Sequence, residues 1–360
     1  MNMEITKENR KWLDEMNLSH PIVIAGPCSA ETEDQVMKTA HLLKNTDANV
    51  YRAGIWKPRT RPGGFEGVGE VGLPWLKRVK EETGMLVTTE VGNANHVELA
   101  LKNDIDILWI GARTTVNPFV VQEIADALKG VNIPVLVKNP VNPDLPLWLG
   151  AVERFQAAGI SQLGVIHRGF STYNSLHYRN KPKWHLAIEL QKEFPNLPLI
   201  IDPSHICGRR DTLLDVSQTA LDLNYDGFMI ETHIDPDNAW SDAKQQITPA
   251  QLAQITVDLK IRLKSSSKEE FQRKLNMYRK ELDLLDSNLI DLLKDRMGIS
   301  EQIGRLKHSE NVAILQSSRW ADILANMTEA AEEKGLNKEF VEEIFKAIHV
   351  ESINIQHNVK

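Results

Sequence analysis

The sequence has 360 residues, 42 Lys and Arg against 49 Asp and Glu, and a formal net charge of −7. At roughly 100–200 residues per domain that length predicts two domains, one of which can be an α/β barrel of about 250 residues. A hydrophobic content of 42% and a charged content of 25% exclude wholesale disorder; the lack of any apolar run of about 18 residues excludes a membrane span, and the acidic balance argues against a nucleic-acid partner.

Taken from the start, residues 1–20 are polar and charged, without the apolar core of a signal peptide. Two cysteines, Cys28 and Cys207, are too few for a disulfide framework, so a reducing, cytoplasmic setting is expected. Short apolar or β-branched runs at 21–26, 49–54, 86–91, 107–112, 134–139, 162–167, 198–202 and 227–232 predict strands. Amphipathic stretches of helical length lie between them, as at 33–45, 119–129 and 249–263. Continuous apolar strands suit a parallel sheet covered on both faces. Periodicity alone also allows a doubly wound open sheet, but the count of eight favours a (β/α)8 barrel.

The pattern stops at the Ser-rich KSSSK of 264–268, which marks a linker. Beyond it Leu275, Leu282 and Leu289 recur every seven residues, as do Tyr278, Leu285 and Leu292, and the stripe runs on through Ile303 and Leu306. This predicts a helix of about 35 residues, interrupted at Asn311. A second helix is expected over 313–333, ended by Gly335, and a third from an Asn337 cap to about 358. The fold class is therefore α/β followed by all-α: a barrel over 1–263, a linker over 264–270 and a three-helix domain over 271–360. A helix too long to bury its own stripe predicts a partner chain.

Active sites of such barrels lie at the C-terminal ends of the strands. Those ends carry Cys28 and Glu31, then Arg52, Lys57, Arg59 and Thr60, then Glu90, Arg113, Lys138, His167 with Arg168, Asp202 with His205, and Glu231 with His233; Asp242 follows. Arg52, Lys57, Arg59, Arg113, Lys138 and Arg168 are cations at one mouth, and phosphates supply their counter-charge. Cys28, His205, Glu231 and Asp242 combine a thiolate, an imidazole and two carboxylates, a set suited to a divalent transition metal. Singly, each has a bland reading as a buried small residue or an ion-pair partner; together at one mouth they point to a site.

The segments GPCSAE, KPRT, IGAR, HRG, DPSHICGRRD and ETHIDPDNAWSD resemble the type I 3-deoxy-D-arabino-heptulosonate 7-phosphate (DAHP) synthases, in the short-barrel subgroup related to the octulosonate 8-phosphate synthases. The resemblance covers about residues 18–262. It implies condensation of phosphoenolpyruvate with erythrose 4-phosphate. It makes Cys28, His205, Glu231 and Asp242 the ligands of a divalent metal, Mn²⁺ or another transition metal. It assigns Arg113, Lys138 and Arg168, with Arg52 nearby, to the phosphoenolpyruvate phosphate. Lys57 falls at its carboxylate and the reacting centre, and Arg59 and Thr60 at the aldose phosphate. KPRT, where the octulosonate enzymes typically read K-A-N-R, favours the four-carbon aldose. Asn139-Pro140 departs from the Arg-Gly usual after the lysine. An octulosonate synthase-like barrel is the alternative.

In the long helix, Arg296 shares the heptad phase of Leu275, Leu282, Leu289 and Ile303 and so faces inward. Arg279 lies 17 residues earlier, about 25 Å away along a helix, so the two serve one small ligand only if Arg279 comes from a second chain. Lys307, about 16 Å beyond Arg296, falls on nearly the same face. Spacing alone weighs this equally against solvated Arg279 and Lys307 with Arg296 paired to an acid. R-x5-L-D from Arg279, with Arg296, Lys307, Arg319, Ser352 and Gln356, resembles the all-helical AroQ-type chorismate mutases over about 271–358. The resemblance implies an intertwined homodimer, or a higher homo-oligomer, that rearranges chorismate to prephenate. Arg279, Arg296 and Lys307 then bind carboxylates and the ether oxygen, which Gln356 also contacts. Gln316 and Trp320 depart from it, standing where an acid and a hydroxyl-binding Glu are usual. A non-catalytic regulatory or dimerising module is therefore the alternative for this domain. The fusion also implies feedback by prephenate or chorismate on the barrel.

Overall fold

The structure is a computed structural model and describes residues 10–18, 20–59, 63–172, 177–263 and 265–359. The chain divides into two compact units, Met1–Lys264 and Ser265–Lys360.

In the first unit eight strands appear in order: β1 (Ile22–Gly26), β2 (Val50–Arg52), β3 (Leu86–Val91), β4 (Ile107–Ile110), β5 (Val135–Lys138), β6 (Leu163–His167), β7 (Leu199–Ile201) and β8 (Gly227–Glu231). Each pairs in parallel with the next, and β8 pairs with β1 through Ile22↔Gly227 to Gly26↔Glu231, closing the barrel. The open-sheet alternative is thereby excluded. Helices fill the connections, and Thr32, Asn93, Asn117 and Asp144 start four of them by accepting backbone N–H bonds with their side chains.

Strand side chains alternate between two buried clusters. Ile22, Ile24, Val50, Ile107, Trp109, Leu136, Ile166, Ile200 and Met229 form one, which fills the barrel. Their chain neighbours Val23, Ala25, Tyr51, Leu108, Val137, Val165, Ile201, Phe228 and Ile230 form the other, between strands and helices. Two residues beyond Val50, Leu136, Ile166, Ile200 and Met229 on the inward track stand Arg52, Lys138, Arg168, Asp202 and Glu231. The same alternation that fills the barrel with aliphatic groups therefore puts charge at its C-terminal mouth.

The opposite end holds a feature that the sequence reading passed over. Residues Lys11–Glu15 form a helix whose Trp12 and Leu13, with Leu18, belong to the barrel-filling cluster. Arg10 pairs with Asp226 at the foot of β8. Among the described residues no helix is long and apolar enough to cross a membrane.

The second unit has three helices: Glu269–Ser309, Ser317–Glu333 and Lys338–Asn358. The first spans 41 residues, longer than expected at its N-terminal end. It stops where Asn311 adopts a left-handed conformation, φ +56°. The second starts at Ser317 rather than 313, because residues 312–316 run as a non-helical connection. Asn337 caps the third by accepting from Phe340 N. A Cβ at Gly304 would lie 2.9 Å from Gln356 Cα, so glycine lets the first and third helices meet closely. Leu282, Leu285, Leu289 and Leu292 on the first helix are each more than half exposed.

Candidate active site

The barrel mouth combines inward strand residues with side chains from the loops that follow. Arg52 is buried to 1% exposure, with its guanidinium 4.9 Å over the Trp109 ring. One of its nitrogens lies 3.3 Å from both Cys28 O and Glu231 Oε1. The other two, Nε and Nη1, are buried and have no hydrogen-bond partner among the described residues. Unsatisfied buried donors on a cation are costly unless an anion meets them.

Lys138 bonds Asp202 Oδ2 at 2.8 Å, and burial lowers its pKa. Burial also pushes Arg168 down to about 10; its guanidinium donates to Asn180 Oδ1 at 2.9 Å. Asn139, the departure noted in the sequence, accepts from the Arg168 backbone N–H at 2.7 Å and donates to Gly169 O and Pro140 O. It braces the turn that carries Arg168. Lys57, Arg59, Arg113, Lys138 and Arg168 all line one small cavity of about 60 Å³, together with Glu90, Arg179, His205 and Asp242. Larger cavities, about 290 Å³ beside Arg154 and about 310 Å³ beside His20 where β1 and β2 begin, lack such a cation cluster. Arg59 donates to Phe65 O at 2.7 Å. Thr60 lies outside the described residues.

The four candidate metal ligands approach one another in pairs. Cys28 Sγ is 3.2 Å from Asp242 Oδ2, and His205 Nε2 is 3.7 Å from Glu231 Oε1. Among the described residues no three His, Cys, Asp or Glu form a group that could hold a metal ion as they stand. Lys57 Nζ sits 2.9 Å from Cys28 Sγ, and burial pushes that thiol up to about 12. Burial lowers His205, whose Nδ1 bonds Asp202, leaving Nε2 turned to Glu231. Burial opposes ionisation of Asp202, but His205 and Lys138 outweigh it and hold the carboxyl well below its usual range. Burial likewise opposes ionisation of Asp242, and Arg179 outweighs it. Glu231 Oε1 is buried without a hydrogen bond. Among the described residues that oxygen has only ion-pair neighbours, Arg52 at 3.3 Å and His205 Nε2 at 3.7 Å, and a carboxylate oxygen beside an imidazole nitrogen fits a cation, while the soft sulfur of Cys28 fits a transition metal.

Several residues at the mouth escaped the sequence reading. Asp202 was visible at the end of β7 but not as the link between Lys138 and His205. Arg179 and Gln245 lie in loops without periodic pattern and are found only through their partners. His167 ends β6 on the outward track, away from the mouth. Its Nε2 meets Pro182 O at 2.6 Å and its Nδ1 meets Tyr225 Oη at 2.7 Å. Because a carbonyl only accepts, Nε2 carries the proton and Nδ1 accepts from the tyrosine.

In the helical unit Arg296 donates to Ser352 Oγ at 2.7 Å, and Ser300 Oγ lies 3.3 Å from the same oxygen. Gln356 Oε1 is buried without a partner. These residues come together. Lys307 Nζ bonds Ile314 O at 2.6 Å rather than meeting Arg296. Arg279 and Arg319 are exposed, and Arg279 stays on the same unbroken helix, about 25 Å from Arg296. Gln316 precedes the second helix and makes no side-chain cap. Trp320 stacks on His349 at 4.0 Å. His349 shares the face of Ser352 and Gln356, and burial, with Arg296 adding to it, lowers its pKa; the sequence reading missed it.

Comparison with known proteins gives two family matches. The model described as the DAHP synthetase I family matches residues 17–265, and that described as chorismate mutase type II matches residues 278–357. A phospho-2-dehydro-3-deoxyheptonate aldolase of Thermotoga maritima is 33% identical over 225 residues, 62% of this chain and 64% of that protein. The chain thus spans less than two thirds of that relative's length. A 2-dehydro-3-deoxyphosphooctonate aldolase of Campylobacter jejuni is 28% identical over 256 residues, 64% of this chain and 92% of that protein. The crystal structure of a Thermotoga maritima phospho-2-dehydro-3-deoxyheptonate aldolase (DAHP synthase) superposes with a TM-score of 0.60 at 31% identity, covering 66% of this chain and 67% of that one.

Proposed function

Since the chain belongs to the DAHP synthetase I family, we propose that its barrel condenses phosphoenolpyruvate with erythrose 4-phosphate and water, giving DAHP and phosphate. The observation that carries this reading is the buried Arg52, with two unsatisfied guanidinium nitrogens, beside a mouth lined by six further lysines and arginines. Arg113, Lys138 and Arg168 bind the phosphate of phosphoenolpyruvate with Arg52 below them. Arg59, with Thr60, binds the aldose phosphate. Lys57 serves the carboxylate and the reacting centre. Holding both anions in one cation-lined cavity overcomes their repulsion and sets C3 of the enol against the aldehyde carbon. Donors at the mouth stabilise the alkoxide that develops. Water adds at C2, and the hemiketal phosphate loses inorganic phosphate. Cys28, His205, Glu231 and Asp242 would hold a divalent transition metal, whose chemistry is to polarise the aldehyde carbonyl.

Cys28→Ala or His205→Ala should abolish synthase turnover, measured as phosphoenolpyruvate consumption (roughly a 10³-fold loss or more). Full turnover by either variant in chelator-treated buffer overturns the metal assignment. The similarity to an octulosonate aldolase favours one other reading, a five-carbon aldose phosphate. Comparing kcat/KM for erythrose 4-phosphate and arabinose 5-phosphate decides between them.

For the helical unit we infer rearrangement of chorismate to prephenate. Arg296, Ser352 and the orphaned Gln356 oxygen supply a polar pocket that needs no covalent chemistry. The exposed apolar stripe of the first helix supports a homodimer, with Arg279 reaching the partner's pocket. The Lys307 ammonium, now on Ile314 O, turns to the ligand. Chorismate turnover by the full-length chain, lost in Arg296→Ala, tests this; no turnover leaves a regulatory dimerising module. Prephenate or chorismate bound there inhibits the barrel in this reading, which requires that the ligand bind two states of the chain unequally. Synthase kinetics unchanged by prephenate overturn that part. Two buried free thiols are consistent with a cytoplasmic enzyme.

A further inference from the structure

His205, Glu231 and Asp242 each carry two polar side-chain atoms, and in each the surroundings fix one of the two. Asp202 holds His205 Nδ1 at 2.8 Å. Gln245 Nε2 donates to Glu231 Oε2 at 2.6 Å, and Arg179 Nη1 donates to Asp242 Oδ1 at 2.7 Å. The second oxygens meet the cations of the mouth, Glu231 Oε1 at 3.3 Å from Arg52 Nη2 and Asp242 Oδ2 at 3.7 Å from Arg59 Nη1. His205 Nε2 and Glu231 Oε1 are 3.7 Å apart, and Asp242 Oδ2 is 3.2 Å from Cys28 Sγ.

Two of these three fixings belong to one device. Arg179 Nη1 donates to Gln245 Oε1 at 2.7 Å as well as to Asp242. A guanidinium only donates and a carboxylate only accepts. The Gln245 amide must therefore turn its oxygen to Arg179 and its nitrogen to Glu231. Gln245 is 1% exposed, so no water stands in for either bond. Asp242 sits at φ +50°, a left-handed conformation that a non-glycine residue keeps only where its surroundings hold it. The bond from Arg179 is one such hold; Gln246, which bonds Cys28 N at 2.9 Å and Ser241 O at 2.7 Å, is another.

We propose that Arg179 and Gln245 act as a single positioning brace that sets one oxygen of Glu231 and one of Asp242 toward a divalent cation. The proposal rests on the metal reading above and adds to it two residues that do not touch the cation. Outer partners of metal ligands commonly change affinity by about 10–100-fold.

The test is Mn²⁺ binding to the metal-stripped full-length chain, followed by equilibrium dialysis. Gln245→Leu and Arg179→Gln should each raise the Mn²⁺ dissociation constant by about 10–100-fold. The double variant should fall well short of the product of the single effects, because the two residues act as one unit. Arg179→Lys, which keeps one donor, should fall between Arg179→Gln and the parent. At saturating Mn²⁺ the synthase kcat of all these variants should return to within a few-fold of the parent, and their far-UV circular dichroism should match the parent. If the parent binds Mn²⁺ and both single variants bind it within about twofold of that value, the brace is refuted. If kcat stays low at saturating Mn²⁺, Arg179 acts on the substrate and the proposal fails. If the parent itself binds no Mn²⁺, the metal reading falls and the brace with it.

Discussion

Asp202 joins the two halves of the barrel site through a single carboxylate. One oxygen accepts from Lys138 at 2.8 Å, and the group also holds His205 Nδ1. Removing its charge strands a buried ammonium and frees the imidazole to turn. Asp202→Asn should lower kcat/KM for phosphoenolpyruvate by about 10–100-fold and weaken Mn²⁺ binding as well; kinetics and dialysis on the same preparation check both, and a change in only one breaks the link. His167 shows the opposite use of a histidine, as a structural brace between Tyr225 and Pro182. Burial lowers its pKa from 6.5 to about 4. The unfolded chain then takes up a proton between those values that the folded chain refuses, so stability rises with pH across that window and is level above it. The penalty at the acid end is roughly 3 kcal/mol. Urea midpoints at pH 4.5 and 7 should differ less for His167→Gln than for the parent. Charged residues at strand ends were legible because a barrel puts them at one mouth. Which way His167 faces depended on its strand parity, and the roles of Arg179 and Gln245 depended on partners more than 60 residues or a loop away.

Strands were the most legible elements. A strand covered on both faces reads as an unbroken apolar run, and all eight runs became strands, one with the expected bounds and seven trimmed by a residue or two at one or both ends. The joint between the last and first of them is tight. A Cβ at Gly227 would lie 2.0 Å from Ile22 O, where β8 closes on β1. Gly227→Ala should destabilise the barrel by about 1–3 kcal/mol or more, read as a lower denaturant midpoint. The helix Lys11–Glu15 was not legible, because its two buried residues, Trp12 and Leu13, stand among charges and show no repeat. The long helix was legible from its heptads, but its N-terminal end was not, since residues 269–273 carry charge rather than stripe. Leu289 is 54% exposed on that helix. For the dimer proposed above, Leu289→Glu should raise the dissociation constant at least tenfold, about 1.4 kcal/mol, measured by sedimentation.

At the scale of the molecule, the two proposed chemistries have different needs on one chain. Stripping divalent metal should stop synthase turnover while leaving chorismate turnover within about twofold, because among the described residues no group of His, Cys, Asp or Glu stands ready to hold a metal beside Arg296 and Ser352. Both rates measured on one chelated sample check this; loss of both would tie the helical chemistry to the barrel's cation. Division of the length into an eightfold βα pattern and a strandless remainder was readable from residue order alone. Pocket geometry in the helices was less so, since Lys307 and Arg279 owe their final positions to contacts beyond one helix. The closed ring of strands has a consequence for assembly. An open sheet offers unpaired N–H and C=O groups on which a second copy can add a strand, or a misfolded one can aggregate. Here β8 bonds to β1, and the ring has no such border. Growth by strand addition is thus closed to the barrel, and any ordered association of this chain must be built from helical surfaces, where stoichiometry is set by side-chain fit rather than by a backbone that would accept any neighbour.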